Sequence, residues 1–137
     1  MKFIIKKSKP FKAPLINKAE ETFNIKFPKA LKNYYSSYGN SQIKTCQFKI
    51  DGFLYDVSAF VSIDINDPAS FYKIMEYGRS DGWIPNNFYP FAHDSGGNYY
   101  FWNSVNQRIY LIFNDDVEYP YEICASIKDF FKIMEGK

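Results

Sequence analysis

The stretch FAHDSGGNYYFWN, residues 91–103, decides the fold that we predict for this chain of 137 residues. Its glycine pair, Gly96 and Gly97, favours a tight turn with positive φ angles. The aromatic residues 99–102 alternate along an extended segment, which gives both faces of that segment apolar side chains. The stretch therefore predicts a strand end, a turn and a central strand, covered by helices on one side and by the remaining chain on the other.

The same stretch places the only histidine, His93, directly before Asp94 and Ser95, which raises the question of an active site. Consecutive side chains of an extended segment point to opposite faces, so these three cannot converge as a catalytic triad. Ser95 also lacks the GxSxG pattern at a strand-to-helix turn that exposes a nucleophilic serine. We therefore predict no catalytic residue and no enzyme, with a small hydrolase or transferase that uses His93 and Asp94 as an alternative.

Metal and cofactor sites lack their usual ligands in this sequence. Cys46 and Cys124 lie far apart and belong to no CxxC motif, and no HExxH motif is present. Residues 64–67 (DIND) lack the remaining ligands of a calcium loop, and the glycine pair opens onto a strand instead of the helix that a phosphate loop requires. We expect reduced, partly buried thiols and no metal, cofactor or small-molecule substrate.

Prolines and glycines mark the elements of the N-terminal half. Pro14 opens one amphipathic helix and Pro28 a second that stops at residues 39–40, so the two should pack as a pair. From Thr45 the pattern alternates in places, and residues 51–52 (Asp-Gly) predict a hairpin turn. This half therefore combines a helix pair with two or three strands.

A middle helix and a C-terminal helix complete the pattern. Asp67 is the expected N-cap of the middle helix, with Pro68 at its first position and Gly78 near its end, and Ser126 is the expected N-cap of the last helix. We predict one α+β domain spanning residues 1–137. A mostly antiparallel central sheet carries the N-terminal helix pair, the middle helix and the C-terminal helix packed on it.

Charge is unevenly distributed along the chain. Residues 1–50 carry 11 lysines and two acids, a net charge of +9, and residues 51–137 carry six basic and 13 acidic residues, a net charge of −7. Scattered lysines without arginine do not indicate direct nucleic-acid binding, whereas the acidic remainder favours a basic partner. No apolar run suits a signal peptide or the ~20 residues of a membrane span, so we predict a cytoplasmic protein without membrane association.

Several segments together resemble the SUKH superfamily, in the right order and over nearly the whole chain. INKAEETFNIKFPKALKNYYSSYGN is similar to the opening of the family, IPNNFYPFAHDSGGNYYFWN to its second signature, and RIYLIFND and ASIKDFFKIM to its following strand and closing helix. The positions carried over from the family motifs are Ile16, Glu20, Pro28, Asp94, Gly96, Gly97 and Asn98. The chain departs from the family at residues 39–41, where Asn-Gly-Gly is common, and at Ile127, where Phe is usual.

The resemblance implies a non-enzymatic protein whose motif positions are structural. Many bacterial SUKH members are immunity proteins that bind and neutralise a toxin delivered between competing cells, often a nuclease. We therefore expect an immunity protein that forms a stoichiometric complex with a cognate toxin domain. The alternative is a regulatory or scaffold module, as in the fungal members that regulate cell-wall synthesis.

The partner-binding surface does not transfer from the family, so its residues are inferred from loop position and chemistry. Acidic side chains suit a basic toxin as charge contacts, and aromatic side chains suit it as anchors. The expected partner-binding residues are Trp83, Asp115, Asp116, Glu118, Tyr119 and Tyr121.

Overall fold

Four α-helices lie within residues 1–136, the part of the chain that the computed structural model describes. They are α1 (Ala13–Phe23), α2 (Lys29–Tyr38), α3 (Phe71–Ser80) and α4 (Ile127–Met134). Helix α1 is followed by Asn24, which adopts a left-handed φ of 52°, and α2 by Gly39, whose φ is 55°. A Cβ at Gly39 would collide with the carbonyl oxygen of Lys9. The second helix therefore ends where expected, and the two helices pack as the predicted pair.

Nine strands within the same residues form three antiparallel sheets. They are β1 (Ile4–Lys6), β2 (Gln42–Ile43), β3 (Cys46–Ile50), β4 (Phe53–Val57), β5 (Ala59–Phe60), β6 (Phe88–His93), β7 (Tyr99–Asn103), β8 (Ile109–Phe113) and β9 (Asp116–Cys124). Strands β5 to β9 lie side by side in chain order, while β1 pairs with β2 and β3 with β4. Strand β7, from the stretch that decided the prediction, is therefore the middle strand of the central sheet.

Both faces of β7 are covered, as the alternating aromatic pattern predicted. Tyr100 and Trp102 are fully buried on the face that carries the helices, which we call the helix face. The ring of Phe130 on α4 lies 5.1 Å from that of Tyr100, and the ring of Phe71 on α3 lies 6.2 Å from that of Trp102. The opposite or outer face is covered by the loop of residues 81–87, which precedes β6.

The hairpin of β3 and β4 turns at Asp51 and Gly52, as predicted. Their φ angles of 51° and 83° are both left-handed, which is the conformation that a two-residue hairpin turn requires. The hairpin packs on α4 through Phe48, whose ring lies 6.3 Å from that of Phe130. Phe53, beside the turn, is 69% exposed, so the base of the hairpin belongs to the core and its tip lies in solvent.

The start of α3 differs from the prediction that used Asp67 and Pro68. The N-cap is Ser70, whose hydroxyl oxygen accepts the backbone N–H of Lys73. Asp67 instead accepts the backbone N–H of Ala69 at 3.0 Å within the preceding turn. The prediction was wrong because an aspartate side chain satisfies a nearby backbone N–H in a turn as readily as at the start of a helix.

The loop of residues 81–87 is fixed to the C-terminal half of α3. Gly78 lies near the end of the helix, as predicted, and Ile84 packs so closely against it that a Cβ there would collide with the Ile84 side chain. Arg79 donates hydrogen bonds to the carbonyl oxygens of Ile84, Pro85 and Phe88. The loop is therefore a rigid cover for the outer face of the sheet.

Strand β9 includes residues that the sequence suggested as loop. It pairs with β8 at the edge of the central sheet, with Asp116 opposite Phe113 and Tyr121 opposite Leu111. Because two residue steps along β8 correspond to five along β9, three extra residues bulge from the strand, and Pro120 lies in that bulge. The bulge breaks the period of two that marks a strand in sequence.

A short ladder between β1 and β2 was not predicted. It pairs Ile4 with Ile43, and strands of two or three residues are too short to produce a recognisable period. The prediction of an α+β fold with an antiparallel central sheet and four packed helices is confirmed. No helix in residues 1–136 has the length and apolar character needed to cross a bilayer.

Candidate protein-interaction site

The turn between β6 and β7 is closed by a single carboxylate. Oδ1 of Asp94 accepts the backbone N–H of Gly96 at 2.9 Å and that of Asn98 at 2.8 Å, and Oδ2 accepts the side-chain Nδ2–H of Asn98 at 2.8 Å. Gly97 has the left-handed φ of 81° that the turn requires, whereas Gly96, predicted to share this conformation, does not. Asp94, Gly97 and Asn98 therefore together fix the conformation of this turn.

This turn is fixed to two other parts of the fold. Asn98 Oδ1 accepts the backbone N–H of Asn114 at 2.8 Å, and Asn114 Nδ2 donates to the carbonyl oxygen of Gly96 at 3.2 Å. On the other side, the backbone N–H and the hydroxyl of Ser95 donate to the carboxylate of Asp56 at 2.8 Å and 2.6 Å. The turn therefore connects the end of β4 to the β8–β9 turn.

His93 and Ser95 do not form a nucleophile–base pair. Nδ1 of His93 lies 2.9 Å from the carbonyl oxygen of Asp94, and its ring packs edge-on against Tyr99 at 6.0 Å. The hydroxyl of Ser95 is directed to Asp56 instead. The geometry therefore shows packing and turn closure at these residues and no arrangement for hydroxyl activation.

A groove on the outer face adjoins the turn, and we call it the outer groove. Its volume is about 290 Å³. Its lining residues are Trp83, Gly97, Asn98, Tyr99, Ile112, Asn114 and Val117. The indole of Trp83 stacks against the ring of Tyr99 at 6.3 Å, and burial raises the pKa of the Tyr99 phenol. The groove thus has apolar walls and a rim of backbone and asparagine groups.

The sequence model of the SMI1 / KNR4 family (SUKH-1) matches residues 10–133. The chain belongs to this family. No curated protein is a significant match to the chain. The matched SUKH-1 region contains the whole of the turn and of the outer groove. SUKH-1 domains are generally non-catalytic and serve immunity or regulation, so membership suggests a protein partner.

The residues expected to contact a partner divide between two faces of the SUKH-1 sheet. Trp83 lies in the outer groove, and Asp115 directly follows the rim residue Asn114. Tyr121 pairs with Leu111, and cross-strand partners share a face, so its side chain lies on the helix face. Asp116 pairs with Phe113, whose ring lies 5.5 Å from that of Tyr121, so Asp116 and Tyr121 share the helix face, while Trp83 and Asp115 lie at the groove.

Glu118 and Tyr119 lie in the bulge of β9. Both are exposed, and Tyr119 is 62% exposed. Val117, between Asp116 and Glu118, lines the outer groove. The bulge therefore sets one apolar side chain in the groove and leaves the two residues that follow it exposed.

Three of the SUKH-1 motif positions lie far from this face, in and between the first two helices. Ile16 is buried in the core at 1% exposure, and Pro28 directly precedes α2. The carboxylate of Glu20 accepts the backbone N–H of Phe27 at 2.8 Å and lies 3.4 Å from the ammonium of Lys32. These contacts join α1 to the start of α2.

The chain segments around the outer groove are acidic. Residues 80–107 and 109–127 contain no lysine or arginine but six acidic residues. The two neighbouring arginines are occupied, since Arg79 binds backbone carbonyl oxygens and Arg108 pairs with Glu122 at 3.2 Å. A basic partner would therefore meet few competing cations on this surface.

Several residues of the site were not found by sequence reasoning. Asp56 and Asn114 hold the turn, and Ile112 and Val117 line the groove. Ser95 and Asp56 are 39 positions apart, and no local pattern indicates such a contact. One signal for the groove was available in the sequence. The predicted hairpin of two apolar strands implies that Tyr99 pairs with Ile112, which places both side chains on the face of the groove.

Metal ligands and reactive thiols are not part of this site. Within residues 1–136, no group of three or more histidine, cysteine, aspartate or glutamate side chains could hold a metal ion. Cys46 and Cys124 are free, half-buried thiols. Burial raises the pKa of Cys124 to about 12, so this thiol is neutral at physiological pH.

Proposed function

We propose that this SUKH-1 chain is a cytoplasmic immunity protein that binds a cognate toxin domain in a stoichiometric complex and occludes its active site. The observation that carries the proposal is the family match over residues 10–133. Domains of this family are generally non-catalytic, and protection by binding requires no chemistry from the chain itself. Under this proposal, protection depends on a surface of the chain that is complementary to the toxin domain.

The charge of the outer face supports a basic toxin. Toxins that cleave nucleic acids must bind polyanions and therefore present basic surfaces. The acidic segments around the outer groove, with Asp115, Asp116 and Glu118, complement such a surface and would accelerate association. Trp83 and Tyr119 add aromatic area of the kind that dominates binding energy in protein interfaces.

The first step of the test is to look for a secreted toxin encoded beside the gene for this chain and to produce its toxin domain. Cells that produce the toxin should survive when they also produce the wild-type chain, and the purified proteins should elute as one complex of fixed stoichiometry. The His93→Gln variant should protect equally well, because the proposal gives this ring no chemical role. Loss of protection with His93→Gln, in a variant that still folds and still binds, would favour the hydrolase alternative.

A regulatory or scaffold role is the second candidate, and the β3–β4 hairpin favours it. Phe53 and Leu54 at its tip are 69% and 60% exposed, and apolar side chains of this kind suit a persistent cellular partner. Under this alternative, the Phe53→Ser/Leu54→Ser double variant loses its cellular partners. Under the proposed function, the double variant should still protect cells from the toxin. Variants of the outer face should lose that protection.

A further inference from the structure

The outer groove has the size and shape of a site for one side chain. Its volume of about 290 Å³ lies at or below the lower limit of small-molecule sites, which span roughly 300–1,000 Å³. Two aromatic rings, those of Trp83 and Tyr99, form one wall, and Ile112 and Val117 complete the apolar surface. Such a groove can hold an extended side chain with an apolar stem.

The rim of the groove favours a positive charge at the end of that side chain. Asp115 directly follows the rim residue Asn114, and residues 80–107 and 109–127 contain six acidic residues and no lysine or arginine. The side-chain oxygen of Asn98 accepts one hydrogen bond, from Asn114, and a carbonyl oxygen can accept two. A carbonyl acceptor therefore lies at the rim of an apolar groove, within an acidic stretch of the surface.

We propose that the outer groove receives an arginine side chain of the partner protein. This inference rests on the proposed function, since it names the chemistry of the toxin surface that the SUKH-1 chain recognises. Arginine suits the site better than lysine because its guanidinium is planar, more weakly hydrated and able to stack on Trp83. Its methylene groups would cover Ile112 and Val117 while its N–H groups reach the rim.

The groove can be tested without the toxin, by NMR titration of the isotope-labelled chain with three probes of similar length. They are the N-acetyl amides of arginine, of citrulline, which is its neutral isostere, and of norleucine. We expect saturable shifts of the Trp83 indole and of the Asn98 and Asn114 side-chain amides, with a Kd for the arginine probe of about 1–10 mM. The citrulline and norleucine probes should bind about two- to fivefold more weakly at low salt.

Two valine variants control for location. Val117→Lys places a cation in the groove and should abolish the shifts, whereas Val105→Lys adds the same charge to an exposed turn residue and should leave them unchanged. Retained dispersion of the amide spectrum shows that each variant is folded. Equal binding of norleucine, binding unaffected by Val117→Lys, or the absence of saturable shifts would overturn the inference.

The outcomes separate this inference from the proposed function. If the groove shows no preference for arginine but the chain still neutralises its toxin, the partner lies elsewhere on the surface and only the inference fails. If the groove prefers arginine but no toxin is neutralised, the site chemistry stands and the immunity role fails. Support for both requires that Val117→Lys, and not Val105→Lys, weaken the toxin complex.

Discussion

Oε2 of Glu20 lies 2.8 Å from the backbone nitrogen of Phe27, which donates a hydrogen bond to it. The glutamate is only 5% exposed, and its other oxygen faces the ammonium of Lys32 on α2. A buried carboxylate therefore satisfies a backbone donor in the connection between α1 and α2. This contact explains why the motif has a glutamate at position 20. The explanation is structural and involves no catalytic role.

Replacement of Glu20 by alanine should lower the free energy of unfolding by about 1–3 kcal/mol, because the backbone N–H of Phe27 loses its acceptor inside the protein. Glu20→Gln should cost less, since an amide oxygen can still accept that bond. Chemical unfolding in urea measures both values. Glu21→Ala is the matched control, because Glu21 is exposed and should change stability by less than about 0.5 kcal/mol. An equal loss in the control would contradict the assignment.

The two glycines of the β6–β7 turn should respond differently to alanine. At Gly97, where φ is 81°, alanine is strained although a Cβ would meet nothing closer than 3.8 Å, so we expect a loss of about 1 kcal/mol or more. Gly96→Ala should cost less because its backbone lies outside the left-handed region. Gly97→Asn should lie between them, since asparagine tolerates positive φ. Thermal unfolding compares all three, and equal losses would contradict a conformational cause.

Alkaline pH should destabilise the fold. Burial raises the pKa values of Tyr34, Tyr35 and Tyr100 above the ordinary value of about 10, and that of Cys124 to about 12. The folded protein therefore keeps protons that the unfolded chain releases. The stabilisation is complete below about pH 7.5, where these groups are neutral in both states, and falls as the pH rises towards the folded pKa values. Urea unfolding as a function of pH, with tyrosinate absorbance as the probe, measures this loss.

Tyr34→Phe is the matched variant for the alkaline experiment. Among the described residues, the hydroxyl of Tyr34 is buried and has no hydrogen-bond partner. Its removal should therefore be neutral or stabilising at neutral pH, within about 1 kcal/mol of the wild type, and should reduce the alkaline loss. Tyr100→Phe should cost stability at every pH, because its hydroxyl donates to the carbonyl oxygen of Asp56. A large loss in Tyr34→Phe at neutral pH would show that this hydroxyl has an unrecognised partner.

The acidic residues beside the outer groove should govern the rate of toxin binding. Alanine at Asp115, Asp116 and Glu118 together should slow association about three- to tenfold at low salt and leave dissociation nearly unchanged. The difference should vanish as added salt screens the charges. Stopped-flow mixing with the toxin domain measures the rates. A double variant on α1 and α3, Glu21→Ala/Glu76→Ala, removes charge elsewhere, and an equal effect there would reject the placement.

Local patterns predicted much of the fold. The helix stop at Gly39, the turn at residues 51–52 and the serine cap of α4 all depend on backbone conformations that a few neighbouring residues determine. The start of α3 was missed because Asp67 and Ser70 can both cap, and tertiary packing chooses between them. β9 was missed because its bulge removes the period of two.

The candidate site was less predictable because distant segments build it. Trp83 and the acidic residues could be selected by chemistry, but the sequence could not show which of them share a face. Val117 lines the groove only because three extra residues in β9 alter its register with β8. Asp56 reaches Ser95 from a separate hairpin. Such relationships depend on register and on three-dimensional proximity, which composition and spacing do not encode.

The bulge of β9 also affects how copies of this chain meet one another. An edge strand with a regular row of free backbone groups is a template for strands of other chains. Here Pro120 lacks an N–H, the three extra residues break the row, and the exposed Glu118 repels the same edge of a second copy. The β9 edge therefore disfavours strand-mediated pairing between copies, which under the proposed function would help the protein to accumulate before its toxin arrives.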